Sequence, residues 1–570
     1  MVEGTRRLSP WSSLALALGV GVVAACRGAE SKKDSAAPNA QAQPPFVPPA
    51  KLFSDLGVFH RKVSTSNAQA QQYFDQGLLF CFGFNHEEAI RSFRKAAELD
   101  PACAMAFWGA ALAAGPNINN PTMDEAVTKA AADAIAKARA NLAGKSDVER
   151  DLIEALAKRY VFPPPPDRAA LDQAYAAAMR DVWQRHPGDA DVGALFAESL
   201  LDLRPWDQWT KDGKPQPGTE EVTATLAKVL ELVPDHVGGL HYTIHAWEAS
   251  PTPERALPAA DQLRHRVPGA GHLVHMPAHI DMRVGDYPEA IAANERAIAA
   301  DLKYVEYAGR MNFYSIYRAH NYHFLAWAAT YDGQSEKAIA AARAIVREVP
   351  AEFVAQMPDF IEAFLATPYH VLVRFGRWKE ILAEPEPPAG QPTTAAFRHY
   401  ARAMAFSSLR QVDDAGKELE AFRAAAAKVP PTATLANNPV STLVAIALPL
   451  AEGELEYRRG HRDKAFDLLR EAVKRDDALK YDEPWGWMQP ARHALGALLL
   501  EQGQVEEAEA VYREDLKRHP ANGWSLHGLA ECLERRGKTV EAQTARAEFA
   551  KAWQRADVKL TGSCFCRVGG

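Results

Sequence analysis

The feature that most limits what this chain can become is a spacing. Between residues 70 and 103, Gly77, Phe80, Ala89, Phe93, Ala96 and Pro101 fall at positions 8, 11, 20, 24, 27 and 32 of a 34-residue frame. Small residues at 8, 20 and 27 let two helices approach closely, aromatic residues fill the space between them, and a proline near the end stops the second helix because it has no N–H to donate. The same frame, set by small residues, turn glycines and terminal prolines, fits 237–270, 271–304, 319–352, 362–395, 396–429, 446–479, 489–522 and 523–556. Apolar residues recur at helical spacing from about residue 66 onward, with almost no alternating strand pattern. A single 34-residue unit cannot bury its own apolar face, so stacking must supply the core. Such an array has no size limit, which disposes of the alternative that 570 residues form about four ordinary domains.

This spacing resembles the tetratricopeptide repeat, a helix-turn-helix unit. The resemblance implies an all-α solenoid, a right-handed superhelix with the first helix of each unit lining the concave side, interrupted by irregular loops. The loops are Asn117–Pro121, the four prolines 163–166, Pro205–Gly218 with Trp206 and Trp209, Glu384–Pro392, and Tyr481–Trp487. Loop aromatic residues either cap a hydrophobic edge or make binding contacts. Further segments, Gly239–Glu248, Gly271–Gly285, His320–Phe324, Arg374–Trp378 and Asn522–Leu526, resemble a group of exported bacterial tetratricopeptide proteins with no assigned reaction. The superfamily implies a protein or peptide partner.

The N-terminus reads as an address. Arg6 and Arg7 precede an apolar run, Leu14–Ala25, too short to cross about 30 Å of hydrocarbon as a helix. It ends in Val23-Ala24-Ala25-Cys26, which resembles a bacterial lipobox. That resemblance implies a signal peptide at 1–25, lipid on Cys26, and a cell-envelope, extracytoplasmic lipoprotein. Arg27 after the cysteine leans the destination toward the outer membrane of a Gram-negative cell. Residues 26–50 are rich in Ser, Ala, Gln and Pro and form a flexible tether. The remaining divisions are 51–236 (first repeat and repeat-like helices), 237–395 (histidine-rich array), 396–556 (C-terminal array) and 557–570 (a tail with Cys564-Phe565-Cys566).

Composition excludes several classes. Hydrophobic residues at 47% and charged residues at 24% rule out general disorder and a multi-span membrane protein. A net charge of −7 gives no basic field for nucleic acid. Six cysteines are too few for a disulfide scaffold, although Cys564 and Cys566 suggest a labile disulfide or soft-metal ligands.

Histidine is where composition becomes specific. In the repeat, positions 2, 5, 9 and 12 of the first helix share one face. His241, His275, His323, His493 and His527 fall at position 5, His245, His279 and His370 at position 9, and His272 and His320 at position 2. Ten of 18 histidines thus lie on one stripe where fewer than one is expected from the overall frequency. His241/His275 and His245/His279 are each one repeat apart, so two neighbouring helices present parallel pairs, with Glu248 and His272 at their ends. Imidazoles at i and i+4 can share a metal ion, and His241, His245, His275 and His279 form a candidate set for zinc or copper. Pro277 interrupts the helix beside them and predicts a kink or a freed carbonyl.

The stripe of His241, His245, Glu248, His272, His275, His279, His320, His323 and His370 supports several functions. The first is a lipid-anchored binding module that captures a peptide, small ligand or metal. The second is a metal- or histidine-dependent hydrolase using the same groove. The third is an envelope scaffold whose histidines only pack. No nucleophile elbow, phosphate loop or dinucleotide motif favours the enzyme.

Overall fold

The computed structural model describes residues 47–567; Cys26, its lipobox and most of the tether lie outside them. Paired antiparallel α-helices dominate, beginning with Ala68–Phe82 and His86–Leu99 and ending with Gly523–Arg535 and Thr539–Ala552. Among the described residues the only paired strands are two residues each, Thr434–Leu435 against Asn438–Pro439. No described helix is long and apolar enough to cross a membrane.

The 34-residue frame acts through direct contact. A Cβ on Gly77, at position 8, would lie 2.7 Å from the ring of Phe93 at position 24, and one on Gly109 would lie 2.4 Å from the same ring. Phe93 is therefore clasped between the first helices of two successive units. Tyr512 is clasped in the same way by Gly496 and Gly528 (2.6 and 2.2 Å), and Leu469 packs on Gly453 (2.9 Å). Side-chain caps start several helices: the Asn67 carboxamide accepts from the Gln69 and Ala70 amides, and Asp124 and Asp189 act likewise at Val127 and Val192.

Two apolar cores result, one built largely from residues 56–280 and one from 278–566. Distant repeats also touch. Tyr287 Oη donates to the Pro520 carbonyl (2.6 Å), Trp524 Nε1 to the Thr330 carbonyl (2.8 Å), and Arg555 pairs with Asp332 (2.9 Å). At the other end Tyr304 Oη bonds Glu88 (3.2 Å), and Asn119 bonds Tyr317 Oη (3.4 Å). Lys211, in the long aromatic loop, reaches the Ala478 carbonyl. The coil is wound tightly enough for its early and late repeats to cover the middle ones.

The C-terminal residues are part of the packed body. Cys564 and Cys566 are joined as a disulfide and both are buried, and Arg458 donates to the Cys566 carbonyl. Cys81, Cys103 and Cys532 are free and buried.

An isopropyl group placed beside Phe93 must force that ring out of place. Gly109→Val is expected to lose about 1–3 kcal/mol in denaturant unfolding. Gly188→Ala, with nothing within 4 Å of its new methyl, is the control and should be neutral. Equal stability of the two variants would contradict the clasp.

Candidate metal centre

Helix Val237–Trp247 is brought close to Ala68–Phe82 by Gly238, where a Cβ would lie 2.6 Å from the Phe82 ring. The approach sets the Phe82 carbonyl 2.6 Å from His241 Nδ1. The ring of His236 accepts from the Gly239 amide through Nδ1 (2.9 Å) and faces Asp191 through Nε2 (3.0 Å), capping the same helix. The next unit begins with Gly271–His275 and continues, past Met276, as Pro277–Val284. Pro277, without an N–H, interrupts the hydrogen-bond ladder while Met276 keeps helical dihedrals (φ −52°, ψ −37°), and His275 and His279 stand on either side of that point.

Glu248 joins the two units. Its Oε1 lies 2.9 Å from His245 Nδ1 and its Oε2 lies 2.5 Å from His279 Nδ1. His275 Nδ1 lies 2.8 Å from Asn294 Oδ1, whose own amide nitrogen donates to the Ala290 carbonyl (2.8 Å), so that oxygen is an acceptor. Each of the four rings therefore faces an acceptor with Nδ1, which places the proton there and leaves Nε2 as a bare lone pair. Yet His241 Nε2 and His245 Nε2 are 3.0 Å apart, and His275 Nε2 and His279 Nε2 are 2.8 Å apart. Lone pairs that close repel unless a cation lies between them. Burial, reinforced by neighbouring imidazoles, holds His241, His275 and His320 well below the ordinary histidine value, so a proton is a poor cation for the task. Burial lowers His279 too, although Glu248 opposes it. Burial alone would raise Glu248, but the facing His245 and His279 bring it below the ordinary carboxylate value.

His272 completes the picture from the other side. It is 2% exposed, and among the described residues neither of its ring nitrogens has a hydrogen-bond partner. Its ring lies 5.0 Å from that of His241 and 4.5 Å from Tyr317.

Aromatic rings cover much of the cluster. Phe84 stacks on His245 and His272, at 5.9 and 5.6 Å, and Phe324 stacks on His279 at 5.3 Å. Trp206 covers His245 at 5.6 Å and is held by the Asn119 side chain (3.1 Å). Phe84 and Trp206 both adopt a left-handed backbone, with φ of 56° and 60°. Such a conformation costs a non-glycine residue about 1–3 kcal/mol and persists where surrounding packing enforces it. From the C-terminal array comes the 481–487 loop. Arg283 donates to the carbonyls of Glu248 and Ser250 (2.9 and 3.0 Å) and lies over the Tyr481 ring. Burial pushes Asp482 up to about 8 and Glu483 well above the carboxylate range.

The stripe read from the sequence is thus split. His241, His245, Glu248, His272, His275, His279 and His320 converge; the first six are buried and His320 is half-buried at the edge, so they form a largely enclosed cluster rather than the lining of an open trough. His323 and His370 stand apart, against Phe364 and against Phe397 and Trp487. His493 bonds Asp515 (2.8 Å) and His527 packs on Phe549. Phe84, Asn294 and Phe324 were not legible as site residues. The Trp206 loop was, as an aromatic break in the frame.

Residues 73–103 match the family model of the tetratricopeptide repeat. The described chain is an array of paired helices that carries a tetratricopeptide repeat at residues 73–103. Similar solved structures include yeast Tom70 (13% identity, 85% of this chain and 90% of that one, TM-score 0.28). Others are the human IFIT1 dimer with m7Gppp-AAAA (12%, 86% and 91%, 0.31) and the APC/C hetero-tetramer Cut9–Hcn1 (13%, 86% and 74%, 0.29). No curated protein matches the sequence. Likeness at this level carries nothing about ligands.

Buried histidines give the solenoid a pH dependence. His323 and His370 are pushed down by burial to about 3 and about 4. The unfolded chain, with histidines near 6.5, therefore takes up protons first as pH falls. The stability these rings carry is intact above pH about 6.5 and is lost progressively toward pH about 4 for His370 and about 3 for His323. His370→Leu should flatten that slope by up to about 1.4 kcal/mol per pH unit in denaturant melts of chelator-treated protein. An unchanged slope would contradict the assignment.

Proposed function

We propose that the protein is an exported, lipid-anchored tetratricopeptide-type scaffold that holds a transition metal in its closed histidine centre. The observation that carries the metal is the orientation of the rings. Four Nδ1 atoms face oxygen acceptors, and the Nε2 atoms face one another at 2.8–3.0 Å. Zinc or copper bound at about 2.0–2.1 Å separates two imidazole nitrogens by roughly 3.3 Å, close to what is observed. The oxygens behind the rings fix tautomer and orientation, as outer partners of metal-bound histidine do. Burial of the cluster speaks against capture of an extended peptide on this stripe, so a protein partner meets another face of the solenoid. The export reading rests on the lipobox ending in Cys26 and the Pro-rich segment after it, with the outer membrane as destination in a Gram-negative cell.

Protein purified without a histidine tag or chelator is expected to carry stoichiometric zinc or copper by elemental analysis. His245→Ala combined with His279→Ala should lose it while keeping the helical circular-dichroism signal. Wild-type protein with no metal, and no uptake on titration with Zn2+ or Cu2+, would refute the metal centre. Cys26→Ser should abolish incorporation of labelled fatty acid and release the protein from the membrane fraction. Unaltered labelling would refute the anchor.

A further inference from the structure

Among the described residues the cluster holds two three-histidine sets, with a third grouping, His245, Glu248 and His279, lying across them. The ligating nitrogens of His241, His245 and His272 lie within 4.8 Å of one another, and so do those of His275, His279 and His320. Both sets obey one rule. Each takes positions 5 and 9 from the first helix of one unit and position 2 from the first helix of the next. His241 and His245 lie on Val237–Trp247 and are met by His272 from Gly271–His275. His275 and His279 flank Met276 and are met by His320 from Ser315–Tyr331. The rule fails one unit later, where position 9 is Trp327 and position 2 of the following unit is Ala363. His323 at position 5 is left packing on Phe364. The repeat therefore builds this three-histidine arrangement twice and then stops.

Resting on the metal reading above, we infer that the centre is binuclear: one ion in each three-histidine set, two per chain, and that the ions are copper. Neither set can serve both ions. His245 and His279 point their Nδ1 atoms at opposite oxygens of Glu248, so their Nε2 atoms belong to different sets. His272, buried and, among the described residues, without a partner at either ring nitrogen, gains one only if its own set is filled. The sets abut. The His245 and His279 rings are 6.0 Å apart and the His272 and His275 rings 6.1 Å apart. Copper follows from the donors. Each set offers three imidazoles and no thiolate or carboxylate. Among first-row divalent ions nitrogen sites favour copper most strongly, and monovalent copper accepts three-coordination. A singly charged ion also loses less hydration than a dication on entering a buried site. Glu248, bonded behind one ring of each set, ties the two halves together.

Metal-free full-length protein is titrated with Cu(I) without oxygen, against a coloured Cu(I) chelator, and then oxidised for electron paramagnetic resonance. Wild type is expected to bind two copper ions and, once oxidised, to show a spin count well below its copper content, because adjacent Cu(II) ions couple. His272→Ala and His320→Ala should each bind one copper with a spin count equal to that copper. His320→Gln, which keeps a polar side chain, serves if the alanine variant is unstable. A wild-type stoichiometry of one, or two copper ions with a full spin count, overturns the paired centre while leaving the metal reading intact. Two zinc ions bound in place of copper in a mixed-metal competition overturns the choice of ion. Uptake of neither metal overturns the underlying reading itself.

Discussion

Glu248 is a buried carboxylate whose two oxygens each face the Nδ1 of a different imidazole, His245 and His279. Burying a carboxylate costs several kcal/mol unless its oxygens are satisfied, so this arrangement must be held firmly. It also fixes what the rings present on their far sides. With Nδ1 committed to oxygen, Nε2 is left as a lone pair. The Phe82 carbonyl and Asn294 impose the same orientation on His241 and His275. The close approach allowed by Gly238, the left-handed turns at Phe84 and Trp206, and the stack of Phe324 on His279 all maintain that geometry and cover much of it. A low-dielectric surround strengthens each of these polar contacts and makes an unfilled nitrogen more costly.

The winding of the solenoid explains why the histidine stripe is closed. An array that coils loosely leaves the first helices of its units facing an open channel. Here Tyr287 and Trp524 bond across from the central units to the last ones, and Glu88 receives Tyr304 from the other direction. Loops that break the repeat frame fill the remaining space. Trp206 arrives from one side, and Tyr481, Asp482 and Glu483 from the other. The same irregularities that make the repeat hard to follow between 104 and 236 are what seal the centre.

Much of this was legible in the sequence because a repeat converts spacing into position. A separation of 34 residues placed His241 beside His275 and His245 beside His279, and the i, i+4 spacing put each pair on one face. The clasp of Phe93 by Gly77 was legible for the same reason. What spacing did not reveal were contacts that depend on the turn of the superhelix. The Phe82 carbonyl and the Phe84 ring reach His241 from a unit some 160 residues earlier, and no local pattern marks them. No spacing singles out Phe324 or Asn294 either. The stripe also overpredicted. His323, His370, His493 and His527 occupy the same repeat positions, but neighbouring units offer them Phe364, Trp487, Asp515 or Phe549 in place of another imidazole.

The most direct measurement is anomalous X-ray diffraction from crystals of protein purified without chelator, with data on both sides of the copper and zinc absorption edges. Anomalous density is expected among the Nε2 atoms of His241, His245, His275 and His279, on the side of the rings away from Glu248. Rings in the same positions with no anomalous density between them, after soaking in either metal, would contradict it.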